Sequence, residues 1–95
     1  MNLGKVVGTV VSTRKESVLD GIRFLLVRLV DTDGKETSSF VVAADAMGAG
    51  PGEMVLTAAG SSARQTTMTQ NKPVDNVIMA IVDTWEVNGV TKYTK

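Results

Sequence analysis

The sequence predicts an all-β fold: a small five-stranded barrel closest in general shape to the oligonucleotide-binding-like Greek-key barrels, with one short helix and a C-terminal hairpin extension. Three observations lead there. Five runs rich in β-branched and aliphatic residues are separated by clusters of Gly, Asp, Asn and Pro, the pattern of strands punctuated by turns. Only one stretch, after the fourth run, has helical character. The 95 residues suffice for one core but leave little chain to cover sheet edges, so a sheet closed on itself is the economical arrangement.

Taken in order, residues 5–11 form the first strand, with Gly8 marking a bend or bulge inside it. The polar stretch 12–17 ends that strand, and Leu19-Asp20-Gly21 turns the chain into a second strand at 22–30. Asp31-Thr32-Asp33-Gly34-Lys35 carries an Asp-Gly hairpin signal, so 39–44 returns as its partner. A fourth strand occupies 53–59. Ser61 and Ser62 then open the short helix, where either hydroxyl can accept from the unpaired amides of the first turn. Residues 66–72 are polar and read as a mobile connection, which Pro73 punctuates. The longest strand candidate runs from 77 to 87. Asn88-Gly89 is a type I′ turn signal that folds 90–93 back onto it. The resulting division is a barrel at 1–87 and a C-terminal strand or tail at 88–95.

The second and fifth strands are apolar at consecutive positions, from Phe24 to Val27 and from Val77 to Val82. Such runs belong to strands buried on both faces. With almost no helix to lie over the outer face, another subunit is the natural cover.

Composition excludes much chemistry. Ten basic and ten acidic residues cancel, with no run of like charge, so no polyanion-binding or membrane-surface patch is advertised. Histidine and cysteine are both absent, which removes the usual zinc sites, the His- and Cys-based nucleophile systems and any disulfide framework. The longest apolar run is far too short to cross a bilayer, and the N-terminus has no long apolar core before a cleavage site. The chain reads as cytosolic, without membrane, metal or cofactor.

Asp45-Ala46-Met47-Gly48-Ala49-Gly50-Pro51-Gly52-Glu53 is the hinge between two β-rich halves. Glycines at every second position beside a proline make neither a helix nor a good strand, so the backbone here turns tightly or approaches something closely. A phosphate loop is the alternative. It lacks the spacing and the following helix that such loops require, since a strand follows instead. Ser61 and Ser62 have no base to activate them. Asp45, Glu53, Asp75 and Asp83 flank turns or strand ends and suit turn hydrogen bonds and salt bridges. Arg64 either binds an anion or ties its loop to a neighbouring carboxylate or carbonyl, and the scarcity of nearby basic residues favours the tie. Met47, Met54 and Met79 suit core or interface gaps better than a soft metal. A single-strand nucleic-acid-binding barrel is the competing function, but it needs aromatics in a basic groove, and this chain has only Phe24, Phe40, Trp85 and Tyr93 amid balanced charge.

Several motifs, in order, carry a family resemblance. Leu3-Gly4-Lys5-Val6-Val7-Gly8, Gly21 before Leu25-Leu26-Val27, the Asp45 to Val55 glycine stretch, Gly60-Ser61-Ser62-Ala63-Arg64, and Pro73-Val74-Asp75 leading to Ile81-Val82-Asp83 together resemble the EutN/CcmL family of bacterial microcompartment vertex proteins. The resemblance implies a barrel that assembles into a homopentamer, plugs the five-fold corners of a polyhedral shell in the bacterial cytoplasm, contacts hexameric shell proteins and catalyses nothing; that nucleic acid is not a ligand follows from the zero net charge and the sparse aromatics. Asp45, Gly52, Ser61, Ser62, Arg64, Pro73 and Asp75 are its structural motif residues. Gly48, Ala49 and Gly50 are candidates for an axial or interface loop, while Arg14, Lys15 and Lys72 are candidate shell contacts. Ala80 stands where the family pattern would have glycine, Pro51 stiffens the glycine loop, and 88–95 lies outside the shared motifs. No cargo is identified, since carboxysomes and several catabolic compartments share related vertex proteins.

Overall fold

The computed structural model describes residues 1–95. Each predicted run forms a strand: β1 (Asn2–Val10), β2 (Arg23–Val30), β3 (Glu36–Asp45), β4 (Met54–Ala59) and β5 (Asn76–Ile81) close into a barrel in the order β1-β2-β3-β5-β4. Every pairing is antiparallel except the short parallel contact of β3 with β5, where Ala44 faces Val77 and Asp45 faces Ile78. Gly8 sits at a register shift in β1, the bulge its sequence position predicts.

Strand alternation sends Val6, Leu25, Val27, Ala43, Val55 and Ile78 inward, and the barrel closes over them with Ala49 of the glycine loop added at one end. A second apolar cluster lies outside the wall. There Ala44, Ala58 and Val77 of the strands are covered by Ala63, on a 3-10 turn at Gly60–Arg64, and by Val74, with Phe24, Met68 and Met79 packed around them. Part of the cover assigned to another subunit is therefore supplied by the chain itself: Val77 and Ile78, neighbours on β5, are both buried, one in each cluster.

The region 77–87 is not one strand. β5 ends at Ile81 because its partner β4 begins at Met54, and the last rung is Val82 N–H donating to the Met54 carbonyl at 2.8 Å. Beyond it the chain finds a new partner. β6 (Thr84–Val87) pairs with β7 (Val90–Thr94) in a separate two-stranded sheet through Asn88 and Gly89, whose φ values of 51° and 79° suit the type I′ turn. The arm thus begins at Thr84, before the division at 87 and 88.

Two local readings also change. The short helix is a five-residue 3-10 turn that starts at Gly60, so Ser61 and Ser62 fall inside it and neither hydroxyl caps it. Residues 66–72 are a knot of turns in place of a loose connection: the buried Thr69 hydroxyl donates to the Ala63 carbonyl at 2.6 Å, and the Thr69 N–H donates to Thr66 Oγ1 at 3.0 Å. Threonine hydroxyls compete for backbone partners in this way wherever the chain is not already in a ladder. A further 3-10 turn, Ser17–Leu19, interrupts the polar stretch after β1.

Candidate functional site: the loops and outer faces of the barrel

The glycine loop leaves β3 at Asp45 and enters β4 at Met54. Asp45, 5% exposed, holds its inner end: Oδ1 accepts the Met47 N–H at 2.9 Å, Oδ2 accepts the Ala49 N–H at 3.1 Å, and Arg23 Nη1 lies 3.3 Å from Oδ2. The same guanidinium nitrogen donates to the Ala49 carbonyl at 3.2 Å, so β2 and the loop are tied twice. Positive φ occurs at Gly48 (75°) and Gly52 (87°), where the loop reverses, but not at Gly50. Gly50 serves instead as donor, its N–H reaching Glu53 Oε1 at 2.6 Å. Ala49, placed in a candidate axial loop with Gly48 and Gly50, is wholly buried and points into the barrel core, so its smallness is set by packing there.

Glu53 spends its other oxygen on Lys95, 2.9 Å away. The Lys95 hydrogen bond, then that of the Gly50 N–H, holds the Glu53 carboxyl below its ordinary pKa, and the hydrogen bond to Glu53 with its charge raises that of Lys95. The arm is fixed at its other end by Trp85, whose indole N–H donates to the Thr32 carbonyl at 2.8 Å while its ring stacks on Tyr93 at 4.9 Å, and by Lys92 on Asp33 at 3.2 Å. Trp85 and Tyr93 therefore face each other.

Arg64 makes the structural tie predicted for it, donating to the Val74 carbonyl at 3.3 Å and lying 3.5 Å from Asp75 Oδ1. The Gly60 N–H donates to the Asp75 carbonyl at 2.9 Å. The Gly60–Arg64 turn and the Pro73-Val74-Asp75 segment thus form one unit, and Ser61, Arg64, Lys72 and Pro73 share a polar recess beside it. Arg14 and Lys15 lie in another loop, closed by Ser12 Oγ donating to the Arg14 carbonyl at 2.7 Å. Lys15 borders an apolar groove of about 540 Å³ built from Val10, Val11, Leu19, Ile22, Phe24 and Val42.

That groove continues the outer face of β1, β2 and β3. Residues opposite one another in an antiparallel pair share a face, so Val10 with Phe24, Leu26 with Val42, and Arg28 with Phe40 line up on the outside. Val10, Val42 and Phe40 remain 41%, 43% and 57% exposed. Arg28 lies 6.0 Å from the Phe40 ring, a contact at the limit of cation–π reach. A second, smaller apolar recess of about 320 Å³ lies by the end of β4, between Met1, Ala58, Ala59 and Met79. Nearby, Leu3 and Leu56 stand opposite each other as partly exposed neighbours of the buried Gly4 and Val55. Sequence reasoning singled out neither Arg23, nor Lys95, nor these outward valines. The alternation of β2, with Phe24, Leu26 and Arg28 set against Leu25 and Val27, is the signal that marks the outer face.

A closed barrel whose Asp45 and Glu53 carboxylates hold its glycine loop, and whose outer β1–β3 face carries exposed apolar side chains, defines a small β-barrel module built for packing. Residues 1–83 match the family model described as ethanolamine utilisation protein EutN/carboxysome, and the chain belongs to this EutN/CcmL family. The carboxysome shell vertex protein CcmL of Gloeobacter violaceus is 44% identical over 95 residues, all of this chain and 95% of that one. Its structure superposes with a TM-score of 0.97, covering 100% and 98% of the two chains. The microcompartment shell vertex protein PduN of Salmonella typhimurium is 47% identical over 88 residues, 88% of this chain and 97% of that one. GrpN of Rhodospirillum rubrum, a pentameric microcompartment shell protein, aligns with a TM-score of 0.84 at 42% identity, covering 92% and 99%.

Proposed function

We propose that the chain is a structural vertex protein: five copies close into a ring that occupies a corner of a bacterial microcompartment shell in the cytoplasm, and the ring catalyses nothing. The observation that carries this reading is the uncovered apolar outer face of β1–β3 on a chain whose pentameric relative GrpN shares 42% of its sequence. A flat lattice of hexagonal units cannot enclose a volume, so five-fold units must introduce the curvature, and hexameric shell proteins are the partners. Five equivalent outer edges make individually modest contacts act together. Arg14, Lys15 and Lys72, exposed or half-exposed on two separate loops, are suited to those edges. At the axis, the loop offers Gly48, where a Cβ would meet open space, and Gly50 beside it, with Ala49 turned inward as a core anchor. Nucleic acid is not a partner in this reading, for Trp85 and Tyr93 are committed to each other and the groove beside Phe40 is mostly apolar on a chain of zero net charge.

Native mass spectrometry of the purified chain should give a dominant species at five times the 10.0 kDa chain mass. Coexpression with cognate hexameric shell proteins should yield closed shells, and omission of this chain should leave open or elongated ones. A monomer at micromolar concentration, or closed shells of normal permeability without it, overturns the assignment.

A further inference from the structure

We infer that the polar recess beside the Gly60–Arg64 turn binds a small phosphorylated polyol, with Arg64 and Lys72 holding the phosphate. Every residue of the site belongs to one chain, so it does not rest on the ring reading.

At about 740 Å³ the recess is the largest concavity on the molecule, and its volume is that of a small-molecule site. Apart from Pro73, every residue lining it carries a polar side chain. It offers little to an apolar peptide or a lipid tail and much to a ligand rich in oxygen. Two of the lining residues are cations, Arg64 and Lys72, and none is a carboxylate. Along the chain Arg64 has few basic neighbours, which favoured a structural tie, but the fold brings Lys72 into the same recess.

The tie and the site are compatible. Arg64 reaches the Val74 carbonyl and Asp75 through Nη1 alone, and its side chain is 38% exposed, so the other guanidinium donors are open to a ligand. Asp75, with a side chain 88% exposed, offsets only part of that charge. Lys72 has no acidic partner within the chain. A planar guanidinium fork together with a mobile ammonium is a pairing that recognises phosphate oxygens. The side-chain amides of Gln65, Gln70 and Asn71 add donors and acceptors beyond what a bare phosphate can use, and these suit the hydroxyls of a polyol body.

The frame is set before any ligand arrives. The Gln70 N–H donates to the Thr66 carbonyl and the Lys72 N–H to the Thr69 carbonyl, each at 2.9 Å, while the Thr69 hydroxyl is anchored on Ala63. Between them Asn71 takes a φ of 59°, a left-handed conformation that asparagine tolerates. Met68 of the same segment packs into the second apolar cluster. A loop pinned in this way gives up little freedom on binding.

Glycerol 3-phosphate is the probe, titrated at constant ionic strength into the isotope-labelled parent protein and followed by amide NMR shifts. The amides of residues 64–72 should shift saturably. Glycerol alone should leave them in place, and inorganic phosphate should bind more weakly than the ester. Lys72→Gln should weaken binding about fivefold and Lys72→Arg should restore it. The melting temperature should stay unchanged in both, since Lys72 has no ion pair to lose. Shifts that sodium chloride reproduces at the same ionic strength, or binding that Lys72→Gln leaves at parental strength, overturn the site. Inorganic phosphate that binds as tightly as the ester overturns the polyol. A chain that is monomeric yet binds the probe overturns the ring reading and leaves this site standing.

Discussion

Asp45 is the residue on which the glycine loop depends. It is a buried carboxylate whose two oxygens serve two loop N–H groups and one half-exposed guanidinium. Asp45→Ala strands those N–H groups where water reaches poorly, and it should cost about 3 kcal/mol in denaturant unfolding. Arg23→Ala should cost about 1 kcal/mol, since the carboxylate keeps both backbone donors and the lost partner was largely solvated. At this scale the sequence announced Asp45 as a turn acid and Arg64 as a tie. It did not announce Arg23, because a partner 22 positions away is fixed by the register of β2 on β3, which no local pattern contains. Gly4 is a similar case. It is legible only as part of a motif, whereas in the fold a Cβ at that position would lie 2.4 Å from Val27 Cγ1, leaving no room for a side chain between β1 and β2.

The β6–β7 arm is the element that sequence reading half resolved. Its turn was visible in Asn88-Gly89, a local signal, but the break before it was not, because 82–84 has neither proline nor glycine and β5 ends only where its partner β4 begins, at Met54. An isolated two-stranded sheet is marginal in water, so this one depends on its moorings: Trp85 on Thr32, Lys92 on Asp33 and Lys95 on Glu53. The last mooring gives it a pH dependence. The folded-state pKa of Glu53 is lowered, so its contribution is present above the unfolded-state value and disappears as pH falls through the folded one. The folded-state pKa of Lys95 is raised, so its contribution is present at neutral pH and disappears as pH rises through that higher value. Glu53→Gln keeps an acceptor for the Gly50 N–H but removes the charge. The variant should melt lower than the parent at neutral pH, converge with it in acid, and lose most of that difference in high salt, where exposed pairs are screened. Thermal melts across pH and ionic strength provide the measurement.

At the scale of the whole molecule, the barrel itself was legible because a short all-β chain has few other ways to dispose of its edges. The second cluster was not. The apolar run in β5 pointed to a face needing cover, but only the fold shows that Ala63, Val74 and Met68 of the same chain provide it at Val77. Farther along the outer face of β1–β3, Val10, Val42 and Phe40 have no such lid and stay open. The wall is also unevenly joined. β2 is laddered along most of its length to both neighbours, whereas β3 and β5 meet through Ala44 with Val77 and Asp45 with Ile78 alone. Hydrogen exchange under mild denaturant should therefore release the amides joining β3 to β5 before those joining β1 to β2, following the lower cost of opening the shorter ladder. Once parted there, the protein is no longer a barrel but an open five-stranded sheet with a free edge on β3 and another on β5. Each edge is a template for the opposite edge of a second molecule. The same two-rung seam that completes the fold thus sets its route to aggregation, in which partly opened chains join edge to edge into a continuous ribbon.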